Sequence, residues 1–279
     1  MQMSPSLTQM PRKKVLITAA AVVFACALLP GRLSASLPAD VEMKDMTWVE
    51  VRSAIDAGYT TVIVPTGGIE QNGPHMILGK HDYIVGEAAG RIAKDVGHTL
   101  VAPVVSYVPE GNYDPPTGHM RFPGTMGVPE PVFAGVLEGV ARSLKAGGFK
   151  TICFIGDHGQ SQPAQAEVAK RLSAEWAKEG VRVVQIGAYY DDKAQVDRLI
   201  AEGRSREQVG QHASVIDTSE LMSVDPNGVD LARYRALWSL EQTGVSGDPT
   251  TASPELGSSL LQMRIAAAAN EIRALLATH

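Results

Sequence analysis

The sequence has little cysteine, few aromatic side chains and no excess of basic charge. Among 279 residues it has two cysteines, 5% aromatic residues and a formal net charge of −5. A nucleic-acid-binding domain needs a basic surface, so this composition argues against that class of function. Cys26 falls in an N-terminal segment that we expect to be removed, which leaves Cys153 without a partner for an intrachain disulfide. Because Cys153 stands in an apolar run, we predict that it is a buried strand residue.

The first 36 residues have the layout of a secretory signal peptide. Arg12–Lys14 is basic, Val15–Leu29 carries no charge, Pro30-Gly31 ends the apolar run, and Ser34–Ser36 offers small residues for cleavage. The apolar run is shorter than the roughly 20 residues that a spanning helix needs. We therefore predict export, to a bacterial periplasm, with an uncleaved anchor as the alternative. The mature chain would keep 21 basic and 30 acidic side chains, a net charge of −9.

Strand-like apolar runs alternate with segments of helical periodicity over the rest of the chain. The predicted strands are 60–65, 99–105, 151–155 and 182–186, and the predicted helices are 48–55, 83–96, 131–146, 162–179, 192–203 and 256–277. The run at 151–155 is wholly apolar, as in a strand that is buried on both faces. No repeat or low-complexity linker divides the chain. The pattern predicts one α/β domain at 37–279, with a mostly parallel sheet between layers of helices.

Polar side chains that could bind a metal follow two of these strands. Glu70 comes shortly after the strand at 60–65, and His158 comes shortly after the strand at 151–155. The segment from Gly67 to Asp82 also contains His75 and His81, and its glycines and proline favour a loop. Ligands of parallel sheets bind beyond the carboxyl ends of the strands. Glu70, His158 and His81 together therefore point to a metal site at this edge of the sheet.

A second candidate region is the irregular segment from Pro109 to Pro129, which is rich in Gly, Pro, Asn and Asp. Structureless segments of this length in a compact domain are usually functional or disordered. We predict that it faces the substrate. The candidate substrate-binding residues are Asn112 and Tyr113 in this segment, together with Gln160, which follows His158.

The sequence resembles the creatininase (creatinine amidohydrolase) family in a series of short motifs. The segment Pro65–His75 contains Pro-x-Gly-x-x-Glu-Gln-x-Gly-Pro-His, and Gly156–Gly159 contains Gly-x-His-Gly. Together the motifs span nearly all of the predicted mature chain and stand in the family order. The matching segments are Thr47–Val51, Pro65–His75, Gly118–Thr125, Gly156–Gly159, His212–Ser219 and Gly247–Gly257.

The resemblance implies a three-layer αβα sandwich, a metal-dependent hydrolase of amide-type C–N bonds and a homo-oligomer, often a hexamer. It also implies a site that typically holds two metal ions. In that pattern the first loop supplies a Glu, a His two residues later and a bridging Asp eleven residues after the Glu. The later strand is followed by a His and, in creatininase itself, by a Glu two residues beyond it.

This chain departs from the two-metal pattern at three positions. Asn72 replaces the first-loop His, His81 replaces the bridging Asp, and Gln160 replaces the second Glu. An amide oxygen is a poor ligand for zinc, and one imidazole nitrogen cannot bridge two ions. We therefore predict a single divalent ion, Zn or Mn with Fe as a further option, held by Glu70, His81 and His158.

Asp82 is an alternative ligand to His81 if the loop register shifts by one residue. Otherwise we expect Asp82 to cap the helix that is predicted to begin at Tyr83.

His212 lies in a His-Ala motif where the resemblance implies a catalytic histidine, so we predict that it transfers the proton. His119 is a second catalytic candidate. The function predicted is hydrolysis of an amide-type or similar ring bond in a small polar molecule, with no nucleic-acid partner and no membrane contact after signal removal. The alternatives are a metal-dependent lyase or isomerase of an oxidised sugar or polyol, and a non-catalytic binding protein.

Overall fold

A computed structural model describes residues 40–234 and 240–278 of the chain. The predicted signal peptide at 1–36 lies outside these described residues, so its cleavage and the export of the chain stay predictions. Within the described ranges, no helix has both the length and the apolar character needed to cross a membrane.

The described strands form one parallel sheet in the order β2-β1-β3-β4. The strands are β1 (Thr61–Thr66), β2 (Thr99–Val101), β3 (Thr151–Gly156) and β4 (Arg182–Gln185). Thr61 of β1 pairs with Thr151 of β3, so the two central strands run side by side along their whole length. Because all pairs are parallel, the carboxyl ends of β1 and β3 lie together at one edge, and the segments that carry Glu70 and His158 leave the sheet there.

The helices lie before, between and after these strands. Their bounds are α1 (Trp48–Asp56), α2 (Lys80–Val96), α3 (Glu130–Gly147), α4 (Gln162–Trp176), α5 (Gly187–Tyr190), α6 (Lys193–Ala201), α7 (Arg206–Val209), α8 (Val215–Val224), α9 (Leu240–Thr243) and α10 (Pro254–Leu276). The sequence does not predict α8, because its first turns carry polar residues rather than an apolar face.

Successive strand residues point to opposite faces of the sheet and enter two separate hydrophobic cores. Ile63 of β1 and Cys153 of β3 pack in the core formed with α2, α8 and α10. Val62 of β1 and Ile152 of β3 pack in the core formed with α1, α3 and α4. The predicted three-layer αβα sandwich with a parallel sheet is therefore confirmed. Cys153 is fully buried, as predicted.

The start of α2 corrects one prediction from the sequence. The helix begins at Lys80 with Gly79 at its N-cap, so His81 and Asp82 both lie in the first helical turn. The expectation that Asp82 caps a helix beginning at Tyr83 is wrong, because Gly79 already ends the loop and its carbonyl accepts a hydrogen bond from the Asp82 N–H. The Asp82 carboxylate instead accepts a hydrogen bond from the Gly68 N–H at 3.0 Å.

Candidate metal centre

Residues that follow the carboxyl ends of β1 and β3 line a cavity of about 320 Å³. Its walls include Glu70, His81, His119, His158 and His212. A volume of this size suits a small ligand, and the polar walls suit a ligand that is itself polar.

The Glu70 side chain stands at the centre of this site and is fully buried. Its Oε1 lies 2.7 Å from His81 Nε2, and its Oε2 lies 2.8 Å from His158 Nε2. His119 Nε2 approaches Oε2 to 3.2 Å. Burial raises the pKa of Glu70, but His81 and His158 lower it by more, so the pKa is well below its usual value. Glu70 is therefore an ionised carboxylate among imidazole rings.

A second buried carboxylate, Glu110, lies beside Glu70. Neither of its oxygens has a hydrogen-bond partner. Its Oε2 lies 3.1 Å from His158 Nε2, but that nitrogen is already hydrogen-bonded to Glu70 Oε2 at 2.8 Å. Burial raises the pKa of Glu110 to about 7. A buried carboxylate without a donor is costly, and a bound cation would supply the missing partner.

These two carboxylates and two neighbouring histidines have the chemistry of a metal site. One ligand atom from each lies within 4.8 Å of the others. We call them the metal group: Glu70, Glu110, His119 and His158. Two carboxylates and two imidazoles suit Zn, Mn or Fe(II), so the residues present fit the single divalent ion that the sequence predicts.

Two of the three predicted ligands, Glu70 and His158, belong to the metal group. His81 lies outside it, since its Nε2 faces Glu70 and its Nδ1 lies 2.7 Å from Asp157 Oδ2. Consecutive residues of a helix point in directions about 100° apart, so the turn that brings His81 to the site directs Asp82 elsewhere. The role of His81 as a metal ligand stays a prediction.

The predicted catalytic residues His119 and His212 both contact Gln71. Gln71 Nε2 lies 3.0 Å from His119 Nδ1, and the Gln71 carbonyl oxygen lies 2.9 Å from His212 Nε2. If that His212 nitrogen donates the proton, Nδ1 keeps a lone pair and faces Glu70 Oε1 at 3.6 Å. Burial lowers the pKa of His212 to about 4, so the ring is neutral at pH 7 and can accept a proton.

The predicted substrate-binding residues are divided between the cavity and the surface. Gln160 lines the cavity, whereas Asn112 and Tyr113 are exposed and do not line it. The Tyr113 hydroxyl donates a hydrogen bond to the Gly127 carbonyl at 3.0 Å, within its own loop.

Asn72, at the position of the first-loop His, does not line the cavity. Its Nδ2 donates to the Glu70, Ile77 and Leu78 carbonyls at 3.0 to 3.3 Å and so braces the loop backbone.

A set of oppositely charged residues, which we call the cation cluster, lies on the other side of Glu70. Lys80 Nζ is 3.3 Å from Asp217 Oδ1, and Arg264 lies 2.5 Å from Asp157 Oδ1 and 2.8 Å from Glu220 Oε2. Burial lowers the pKa of Lys80, but Asp217 and Glu70 raise it by more. The cation cluster comprises Lys80, His81, Arg264, Asp157, Asp217 and Glu220.

Sequence reasoning misses Glu110, Lys80 and Arg264 as site residues. Arg264 lies on the buried face of α10 with Leu260, Leu261 and Ala268. A charge at a helical spacing that is otherwise apolar is the signal that could have identified it. Glu110 and Lys80 offer no comparable signal.

Comparison with known proteins identifies the family. The creatininase (creatinine amidohydrolase) family model matches residues 44–272. The chain is 25% identical to the creatinine amidohydrolase of Pseudomonas putida over 194 residues, which covers 68% of this chain and 74% of that protein. It is 26% identical to the mycofactocin precursor peptide peptidase of Mycolicibacterium smegmatis over 223 residues, 76% of this chain and 84% of that protein.

Solved structures show the same fold. The manganese form of creatininase aligns with a TM-score of 0.69 and 24% identity over 84% of this chain and 98% of its own. Another creatininase structure of this group is of the Zn-Zn type. The family match covers most of the chain and agrees with the resemblance drawn from the motifs. The chain belongs to the creatininase family.

Proposed function

We propose that the chain is a hydrolase that uses one divalent metal ion to open an amide-type C–N bond in a small polar substrate. The observation that carries this proposal is the buried Glu110 carboxylate. Its two oxygens lack hydrogen-bond partners and lie among the other residues of the metal group. A buried oxygen without a hydrogen-bond partner calls for an explanation, and a cation bound at the metal group supplies one.

The ion, Zn or Mn with Fe as a further option, would be held by Glu70, Glu110, His119 and His158. When bound, such an ion acidifies a water molecule or polarises a carbonyl group. We place His81 behind Glu70, where a hydrogen-bonded chain from Asp157 through His81 to Glu70 orients the carboxylate. Partners of this kind fix the direction of a ligand and its basicity.

His212 is the proposed proton acceptor. In the tautomer whose Nε2–H donates to the Gln71 carbonyl, Nδ1 keeps its lone pair and faces Glu70 Oε1 at 3.6 Å. Gln160, on the wall of the same cavity, is the proposed contact for a polar group of the substrate. The cavity volume of about 320 Å³ limits that substrate to a small molecule or to the reacting end of a longer one.

Metal analysis of the purified protein tests the ligand set. We expect about one equivalent of a transition metal in the wild type, and loss of it in Glu70→Ala, His158→Ala and His119→Ala. The control is His75→Ala, because His75 contacts Thr218 and lies outside the metal group. Loss of the ion in His81→Ala but not in His119→Ala would instead support Glu70, His81 and His158 as the ligands. A wild type without metal refutes the proposal.

Product analysis by mass spectrometry separates hydrolysis from the alternatives. The test panel contains creatinine, other cyclic amides and short peptides, since the matched relatives are named as a creatinine amidohydrolase and a peptide peptidase. Products whose summed mass exceeds that of the substrate by one water molecule support a hydrolase, whereas an isomer or a product lighter by one water molecule supports an isomerase or a lyase. A metal-loaded protein that converts no member of a broad panel supports the binding protein.

We further propose that the chain is exported to the periplasm after cleavage near residue 36 and assembles as a homo-oligomer, a hexamer by resemblance. N-terminal sequencing of protein recovered from a bacterial periplasm tests the cleavage. Native mass spectrometry of the same sample tests the oligomer.

A further inference from the structure

Lys80 is a fully buried cation beside the cavity that the proposed reaction does not use. Its side chain is 1% exposed, and it lies in the first turn of α2. Its Nζ lies 3.3 Å from Asp217 Oδ1 and 3.7 Å from Glu70 Oε1. Lysine is almost never fully buried unless it is paired, so these two carboxylates account for its position.

The two carboxylate oxygens of Glu70 have different neighbours. Oε1 faces Lys80 and His81, while Oε2 faces His158 and His119 of the metal group. The ammonium group therefore approaches the side of Glu70 that the metal group leaves free. Lys80 and Asp217 also line the cavity, so an ion that enters the cavity would reach this position.

The groups around the ammonium are of residue types that bind divalent ions. Glu70 Oε1 and Asp217 Oδ1 are carboxylate oxygens, and His212 Nδ1 lies 3.6 Å from Glu70 Oε1. Two carboxylates and an imidazole are a ligand set for Zn or Mn. A positive charge already held between the carboxylates repels a divalent ion and takes the space that it would need.

We propose that Lys80 is a fixed cation that fills the position between Glu70 and Asp217 in which a second divalent ion would otherwise bind, and that it thereby limits the centre to one ion. This inference rests on the proposed metal ion at the metal group. Asn72 and Gln160 remove ligands that a second ion uses in the family pattern. Lys80 is a separate reason for a single ion, because its charge fills the position between Glu70 and Asp217.

Titration of the metal-free full-length protein with Mn²⁺ tests the inference. Calorimetry counts the bound ions, and electron paramagnetic resonance shows whether they are coupled. We expect one equivalent in the wild type and in Lys80→Arg, which keeps the charge. We expect a second equivalent in Lys80→Met, with the spectrum of two coupled Mn²⁺ ions. The double variant Lys80→Met/Asp217→Asn is the matched control, and it should lose the second equivalent, because it lacks one carboxylate of the new site.

Two results would overturn the inference: two equivalents in the wild type, or a folded Lys80→Met variant that binds one equivalent as the wild type does. A wild type that binds no Mn²⁺ or Zn²⁺ refutes the proposed function instead, so the two failures are distinguishable. If Lys80→Met folds poorly, refolding with Mn²⁺ is the second measurement. We expect two equivalents of Mn²⁺ to restore the folded state, and a variant that stays unfolded with Mn²⁺ contradicts the inference.

Discussion

The metal group and the cation cluster meet at Glu70 but differ in how their charges are matched. In the metal group, Glu110 has two oxygens without a hydrogen-bond partner. In the cation cluster, each carboxylate faces at least one cation: Asp157 and Glu220 face Arg264, and Asp217 faces Lys80. The difference separates a binding site from a structural element. Removing one ion from a self-neutralising cluster destabilises the fold, whereas two carboxylates that share the single Nε2 of His158 are suited to bind a further cation.

His81 belongs to the cation cluster because it too is a charged group beside carboxylates of opposite charge. Both of its ring nitrogens face carboxylates, which makes both of them donors and the ring a cation. Burial and Lys80 lower the pKa of His81, but Glu70 and Asp157 raise it by more. With His81 charged, three cations of the cluster face its three carboxylates, and Glu70 remains available to the metal group.

Glu70→Ala should have the largest effect on metal binding and on stability, because Glu70 contacts both the metal group and the cation cluster. We expect metal affinity to fall by more than about 100-fold. We also expect the free energy of unfolding to fall by about 3–5 kcal/mol, because Lys80 and His81 lose a buried partner. Metal analysis and urea unfolding measure the two effects. A variant that loses stability but keeps its ion would show that Glu70 belongs to the cation cluster alone.

Arg264→Met should distinguish the cation cluster from the metal group, because we expect it to lower stability without changing metal binding. The change leaves Asp157 and Glu220 with one buried cation fewer, which we expect to cost about 3–5 kcal/mol of the free energy of unfolding. The metal content should stay at one equivalent. Urea unfolding measures the loss, and Arg273→Met, an exposed arginine on the same helix, is the control. An equal loss in both variants would contradict the distinction.

Glu110→Gln should have the opposite effects to Arg264→Met, lowering metal affinity without lowering stability. Metal affinity should fall by roughly 10- to 100-fold, because a ligand or a close neighbour of the ion loses its charge. The metal-free protein should be as stable as the wild type or more stable by about 1 kcal/mol, since the Glu110 carboxylate makes no hydrogen bond that the substitution would remove. Calorimetry and urea unfolding of metal-free protein check this, with exposed Glu130→Gln as control. A clear loss of metal-free stability would mean that Glu110 is structural.

His75 lies outside the metal group and the cation cluster, and we expect it to have a smaller, pH-dependent effect on the free energy of unfolding. Burial lowers its pKa to about 4, and its Nδ1 has no hydrogen-bond partner. The unfolded chain, with a histidine pKa of about 6.5, binds the proton more readily. The contribution of His75 to stability is therefore full above pH 6.5 and is lost as the pH falls towards 4.

We expect the metal-free wild type to lose about 1–2 kcal/mol more between pH 7 and pH 4.5 than His75→Gln does. Urea unfolding at the two pH values measures the difference. Exposed His98→Gln is the control. Parallel pH profiles for the wild type and His75→Gln would place the acid sensitivity elsewhere.

Much of the fold and part of the site can be predicted from the sequence because the signals are local. The alternation of apolar runs and helical periodicity predicts the parallel sheet, and the sheet places the segments that carry Glu70 and His158 at one edge. The bounds of α2 are less predictable. A loop of glycine and proline residues passes into the helix at Lys80, three residues before the apolar pattern begins.

Glu110 shows why the rest of the site is not predictable in this way. It comes from an irregular loop, and nothing in its local sequence distinguishes it from the exposed Asn112 and Tyr113 two and three residues later. The backbone path of that loop decides which side chains turn inwards. That path depends on contacts such as the Met126 N–H with the Ile69 carbonyl, which join residues far apart in the chain.

The sequence by itself determined the layers of the fold, the family, and Glu70 with His158 as paired residues after the ends of two strands. Only the tertiary structure decided which charges share Glu70. It placed Glu110 and His119 on one side, and it placed Lys80, on a helix that starts earlier than predicted, on the other. The physical reason is that a buried charge is stable only beside its partners, and those partners come from segments that the fold alone brings together.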